Sequence, residues 1–304
     1  MLKNLDDLQK AAKKAKKKRM AVVFAHDSHV IEAVKDACDF GIIDPVLIGI
    51  SEDIKRLMKE YHLTESCTII DEPDPDKATK IAMDMVNDGE VDIVMKGLID
   101  TKILLKGVVN KEYGIRDSEL LSHVGIVEYP HFDRILFATD GAMNITPDYK
   151  QKILIIEAAV KLAKSLGYTL PKVGIVSSVE KVNPKIESTM DAEKIVNYYK
   201  DKDIDFLVDG PFAVDNLVSM DSVKHKGIKS PVAGVCDILL FPNLDGGNIF
   251  YKTSVFLANG KSAGIIMGAK VPIVLTSRAD SSESKLNSIL LAVVNKDGLL
   301  AAGH

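Results

Sequence analysis

Tryptophan is absent from this sequence, cysteine occurs three times, and aromatic residues make up only 6% of the chain. Cys38, Cys67 and Cys236 are widely spaced and form no CxxC pair, which supports neither a disulfide framework nor a zinc site. His26, His29, His62, His123 and His131 are scattered, and His26 and His29 lack a third ligand at a fitting spacing, so no metal is expected. No apolar run approaches the ~20 residues of a membrane span, and the lysine-rich N-terminal segment lacks the apolar core of a signal peptide. Charge of one sign is not in excess either, and a net charge of -4 gives no general attraction to nucleic acid or to an anionic membrane. A GxGxxG turn is missing after the first expected strand, where Ala25-His-Asp-Ser28 stands instead, which weighs against a nucleotide-dependent dehydrogenase. The expectation is a cytoplasmic protein with no metal, no nucleic-acid partner and no membrane association.

With 304 residues, 46% of them hydrophobic and 27% charged, the chain can bury the core of two domains or of one large α/β unit. Leu2 to Lys18 reads as a helix whose lysine-rich end complements its dipole, and Met20 to Ala25 reads as a strand. Asp27 or Ser28 can cap a helix with Val30, Ala33, Val34, Ala37 and Cys38 inside. Strands at Pro45–Gly49, Thr68–Ile70 and Asp92–Met95 alternate with helices near 52–61 and 76–87, which predicts a mainly parallel sheet. Lys96-Gly97 closes the last of these strands and Thr101 can start the next helix, so this turn is a candidate wall of a ligand site. Ser122–Tyr129 and Arg134–Ala138 are joined by too short a link for a parallel crossover and should pair antiparallel. Thr146-Pro147 and Asn183-Pro184 offer helix starts, and a domain boundary is placed near Asn144.

The stretch from Phe241 to Asp280 carries the densest chemistry. The apolar run ending at Phe241 gives way to Pro242-Asn-Leu-Asp-Gly-Gly-Asn248, which opens a helix with Ile249, Thr253, Phe256 and Leu257 on one face and Gly260 as its stop. Glycines at a helix start allow close backbone approach, and open N–H groups there favour an anion, so Gly246, Gly247 and Asn248 are candidate phosphate binders, with Tyr251 and Lys252 one turn on. A second apolar run, Pro272–Thr276, ends in Ser277-Arg278, a hydroxyl and a forked cation suited to a phosphoryl or acyl-phosphate group. Asp280-Ser-Ser-Glu283 follows at capping-box spacing, and Leu286, Ile289, Leu290, Val293 and Val294 supply the next helix with a buried face. Cys236 reads as a small buried residue.

Phe241-Pro-Asn-Leu-Asp-Gly-Gly-Asn-Ile-Phe-Tyr-Lys252 and Thr276-Ser-Arg-Ala-Asp280 resemble the signatures of the phosphate acetyltransferase and phosphate butyryltransferase family. Met95-Lys-Gly-Leu-Ile-Asp-Thr101, Phe137-Ala-Thr-Asp-Gly-Ala142 and Val179-Glu-Lys-Val-Asn-Pro-Lys185 agree in the same order, the last being most similar to the butyryl branch. The resemblance implies two α/β domains with mainly parallel sheets around a central cleft, of the isocitrate/isopropylmalate dehydrogenase-like kind, with residues 1–144 and about 278–304 in the first and 145–277 in the second. It further implies transfer of a short-chain acyl group, butyryl above acetyl, between coenzyme A and phosphate. The partners would be acyl-CoA, phosphate and acyl phosphate, with coenzyme A as substrate, no tightly bound cofactor, and a homo-oligomer of two or more chains. By the same resemblance Arg278 holds the phosphate, and Ser277 donates a hydrogen bond at the reacting centre without becoming acylated. Lys96, Gly97, Thr101, Gly246, Gly247, Asn248, Tyr251 and Lys252 would bind the cofactor-like substrate. The acetyl branch has an aspartate one turn into the last helix, whereas Ser284 stands here, and the base is left between Asp280 and Glu283. A phosphate acetyltransferase and a non-catalytic protein that binds coenzyme A or phosphate are the alternative readings.

Overall fold

The computed structural model describes residues 1–63, 67–277 and 279–298, which form two compact α/β units. Among the described residues, Leu5–Leu121 and 263–298 make the flanking unit; Ser122–Ser262 with Met1–Asn4 make the inserted unit. The flanking unit begins with α1 (Leu5–Lys14), β1 (Lys18–Val23), α2 (Ser28–Asp39), β2 (Ile43–Gly49), α3 (Ser51–Glu60), β3 (Thr68–Asp71), α4 (Pro75–Asn87), β4 (Ile93–Lys96) and α5 (Thr101–Val108). Strands β1, β2 and β4 are almost wholly buried, which is why they read as continuous apolar runs and not as alternating ones. Carboxylates start α2 and α4: Asp27 accepts from the Val30 N–H at 3.0 Å, and Asp74 accepts from Lys77 with Pro75 at the first helical position. The first helix stops short of its expected end because Lys18 opens β1, buried to 8% exposure beside the carboxylate of Asp297.

The inserted unit contains β5 (Ser122–Glu128), β6 (Leu136–Thr139), α6 (Tyr149–Ser165), β7 (Lys172–Val176), α7 (Glu187–Tyr199), β8 (Leu207–Phe212), α8 (Val214–Val218), α9 (Met220–Lys226), β9 (Ile238–Leu240) and α10 (Leu244–Phe256). Its strand order is β5-β6-β9-β7-β8. The β5–β6 pair is antiparallel, as the short link required, and the other pairs are parallel. Leu136, Val176, Phe212, Leu217, Leu239 and Phe241 belong to its core. Helix α6 begins after Asp148, which forms a reciprocal capping box with Gln151, so Thr146-Pro147 lies outside it. Helix α7 likewise starts later than Asn183-Pro184, because the Asn183 side chain turns the chain by accepting from the Lys185 N–H at 3.0 Å.

The chain then returns to the flanking unit through β10 (Lys261–Met267), β11 (Ile273–Val274) and α11 (Ser282–Asp297). Strand β11 pairs in parallel with β4, Val274 opposite Met95, and β10 runs antiparallel to β11, giving the order β3-β2-β1-β4-β11-β10. The mixed α/β fold with mainly parallel strands is the class that the alternation predicts. The units divide the chain at Leu121 and Ser262, where the sequence reading placed limits near 144 and 277. The reason is strand pairing: β6 pairs with β9, which takes the β5–β6 hairpin into the inserted unit, and β11 pairs with β4, which takes 263–277 out of it.

Candidate active site

In the flanking unit β1 leads to β2 and β3 on one side while β4 lies on the other, so strand order reverses between β1 and β4. Open parallel sheets form a crevice at the carboxyl ends of the strands at such a point. The residues there are tightly built. Phe24 takes a left-handed φ of 59°, and its carbonyl accepts the Leu98 N–H at 2.7 Å. A Cβ on residue 97 would stand 2.1 Å from that carbonyl oxygen, so only glycine fits at Gly97. Lys96 is buried, with Nζ 3.2 Å from its neighbour's carbonyl oxygen, and Thr101 opens α5, whose cap is Asp100. The imidazole of His26 lies 4.7 Å from the Phe24 ring, and its buried Nδ1 has no hydrogen-bond partner among the described residues. Burial lowers the His26 pKa against the pull of Asp53 and Asp27, which favours the neutral ring.

Strand β11 ends next to β4, and the chain beyond it carries Ser277, which is exposed. Arg278 lies outside the described residues. Asp280 is 8% exposed and its Oδ2 accepts the Ser277 N–H at 2.8 Å. The cap of α11 is therefore Ser281, which accepts from the Ser284 N–H at 3.2 Å, and not Asp280 as the spacing predicts. Glu283 sits in the first turn of α11, exposed. Lys285, on the same helix, is 3% exposed and donates from Nζ to the carbonyls of Asp280 at 2.6 Å and Ser277 at 3.2 Å. Burial lowers its pKa, while Asp280 and Asp27 act to raise it. Lys96, Gly97, Thr101, Ser277, Asp280 and Glu283 thus lie at or beyond the carboxyl ends of the neighbouring strands β4 and β11.

Gly246, Gly247, Asn248, Tyr251 and Lys252 belong to the inserted unit, on α10. Asn243 caps this helix by accepting the Gly246 N–H at 2.9 Å, and the Gly247 N–H bonds the Asn243 carbonyl at 3.2 Å. Both glycine amides are occupied by the helix itself, contrary to the open donors expected of them. Their absent side chains serve contact instead: a Cβ on Gly247 would lie 2.4 Å from the Asp140 carbonyl oxygen. Asn248 donates to the Gly141 carbonyl at 3.1 Å, and Tyr251 shares a hydrogen bond with Ser262 at 3.1 Å. Lys252 Nζ lies 5.1 Å from the centre of the Tyr251 ring. Asp140, 2% exposed, shapes the opposing loop by accepting from the N–H groups of His123, Ala142 and Met143 and from Asn144 Nδ2. The face of α10 bearing Ile249 and Phe256 is exposed, and the helix ends before Gly260.

Sequence reasoning assigned no role to Lys285, His26 or Asp140. For Lys285 a signal existed, since it stands four residues before Ile289 in the apolar stripe of α11, where a charge is out of place. Cys236 is fully buried and burial, reinforced by Asp237, pushes its thiol up to about 12, in keeping with a core residue. A separate cavity of about 390 Å³ lined by Arg134, Tyr168, Lys172 and Asp237 lies at the amino ends of β6, β7 and β9, away from α10. Among the described residues no cluster of three His, Cys, Asp or Glu side chains is placed to hold a metal, and no helix is long and apolar enough to cross a membrane.

Residues 74–293 match the family model described as phosphate acetyl/butaryl transferase. Phosphate butyryltransferase of Clostridium beijerinckii is 40% identical over 296 residues, 97% of this chain and 98% of that protein. Phosphate acetyltransferase of Thermotoga maritima is 44% identical over 283 residues, 92% of this chain and 96% of that protein. Among solved structures, a branched-chain phosphotransacylase from Enterococcus faecalis V583 aligns with a TM-score of 0.83 at 30% identity, covering 92% of this chain and 99% of the other.

Proposed function

The chain belongs to the phosphate acetyltransferase and phosphate butyryltransferase family, and from that premise we propose that it transfers a short acyl group, butyryl by preference, between coenzyme A and inorganic phosphate. The observation that carries this reading is the relation over nearly the whole length to transferases of both kinds, together with an exposed Ser277 at the end of β11 beside the β1–β4 crevice. In one direction a phosphate oxygen attacks the thioester carbonyl, a C–O bond forms, the C–S bond breaks, and the thiolate of coenzyme A leaves. In the reverse direction the thiolate attacks acyl phosphate and phosphate leaves. Charge builds on the carbonyl oxygen either way and needs a donor in place beforehand. Ser277 is assigned that hydrogen bond and Arg278 the phosphate, whose oxygens match a guanidinium fork. Asp280 accepts the Ser277 N–H and holds the loop, and Glu283, exposed in the first turn of α11, is assigned the proton transfer. Thiol release from butyryl-CoA on adding phosphate tests the reading; no release with any short acyl-CoA would remove it.

The acyl chain is a finer matter, since the acetyl relative supports a second reading. Butyryl exceeds acetyl by two methylenes, and at ~0.8 kcal/mol for each one buried, a pocket that desolvates both gains about 1.6 kcal/mol, roughly a 15-fold preference. A pocket for the longer chain cannot strongly reject the shorter one. Acyl-CoA esters competed in one vessel should rank butyryl and valeryl first, branched esters turning over and acetyl slower but active. A higher specificity constant for acetyl-CoA would assign the chain to the acetyl branch.

A further inference from the structure

Two carbonyls between β11 and α11, those of Ser277 and Asp280, are held by one ammonium group. Lys285 Nζ donates to the carbonyl of Ser277 at one end of the turn and to that of Asp280 at the other, at 3.2 and 2.6 Å. The Asp280 carboxylate closes the turn by taking the Ser277 N–H at 2.8 Å, and the Asp280 N–H bonds the Ser277 carbonyl at 3.2 Å. Burying an ammonium at 3% exposure is unfavourable, and an apolar side chain of similar volume at such a place is often neutral or stabilising. Burial lowers the pKa of Lys285, with Asp280 and Asp27 opposing it, as expected of a charge held in the interior by neighbouring carboxylates. General stability therefore does not call for a lysine here, whereas a turn that must present a hydroxyl in one geometry does.

We infer that Lys285 is a positioning residue for acyl transfer: its ammonium clamps the Ser277 and Asp280 carbonyls and so fixes where the Ser277 hydroxyl points. The inference rests on the acyl-transfer reading of that serine. Lys285 itself touches neither substrate nor the reacting atoms.

The test uses the full chain and butyryl-CoA with phosphate. Lys285→Met keeps the length and removes the charge and its donors. It should fold, hold KM for butyryl-CoA within about 3-fold, and lose kcat by about 100-fold, the scale expected when a reacting group is misplaced by about an ångström. Lys285→Arg, which keeps the charge and donors, should recover part of that loss. Ser277→Ala combined with Lys285→Met should be no slower than the slower single variant, since one residue acts through the other. Multiplying losses, or a kcat for Lys285→Met within about 3-fold of the parent, would overturn the inference. Lys285→Gln, too short to span both carbonyls, is measured alongside and decides the matter if the methionine variant does not fold. Failure of both to fold would also overturn it, by making Lys285 a requirement of the fold. A parent chain inactive with all the esters strikes at the acyl-transfer reading instead, so the two failures are told apart.

Discussion

Asp280 is buried and its carboxylate accepts the Ser277 N–H, while three residues on Glu283 is exposed in the first turn of α11. The two therefore respond differently to loss of charge. Asp280→Asn keeps an oxygen that can accept the Ser277 N–H, and its activity should fall modestly, by roughly 10-fold or less, as a neutral acceptor replaces a charged one. Glu283→Gln keeps the size and removes the proton acceptor, so turnover measured from butyryl phosphate and coenzyme A should drop by ~100-fold and recover in part as pH rises towards the thiol pKa of about 8.5, where the attacking thiol ionises unaided. Near-normal initial rates in both variants would reject a carboxylate base from this helix. The position of Ser277 after a strand is legible in the sequence, but the cap is not. Asp280 and Ser281 are both good cap residues, and the choice is made by the Ser277 N–H, which claims Asp280 through a contact that spacing along the chain does not encode.

Helix α11 is buried on more than one face, and its polar residues are matched: Ser288 Oγ accepts the Gly264 N–H at 3.0 Å and donates to the Ser284 carbonyl at 2.8 Å. Its far end is tied to the start of β1, where Asp297 pairs with Lys18 and accepts the Lys16 N–H at 3.3 Å. Burial alone would raise the Asp297 pKa, but Lys18 and the Lys16 N–H outweigh it and hold the carboxyl below its ordinary value. A depressed folded pKa means that this contribution is complete above the unfolded value of about 3.9 and is lost as pH falls through the lower folded value. Asp297→Asn should cost about 2 kcal/mol at pH 7, the scale of a hydrogen bond to a charged group, with the gap closing as acid protonates the parent. Urea unfolding of both proteins at pH 7 and pH 3 checks this, and an equal gap at both pH values would sink it. Elements of this kind were legible where burial is two-sided, as in β1, β2 and β4, and at the β5–β6 hairpin. Helix starts at α6 and α7 were misplaced because Pro147 and Pro184 lie in the approach to each helix and not in its first turn.

On the scale of the molecule, the chain leaves the flanking unit after Leu121 and rejoins it at Ala263. The inserted unit has its own five-stranded order and its own core, with Leu217 and Leu239 fully buried. A fragment of residues 122–262 should therefore fold alone, giving an α/β circular dichroism spectrum and a cooperative thermal transition; a spectrum of unordered chain would count against it. Periodicity could not show that β11 pairs with β4, because parallel partners far apart in sequence leave no local trace. That pairing also has a consequence for synthesis. On the ribosome β4 emerges before the inserted unit and β11 after it, so in the growing chain Ile93, Val94 and Met95 line a sheet edge that stays unpaired until β11 has emerged. The segment bearing Ser277 and Lys285 arrives behind both, so on the role proposed for Ser277 a chain that stops short of it should show no acyl transfer at all.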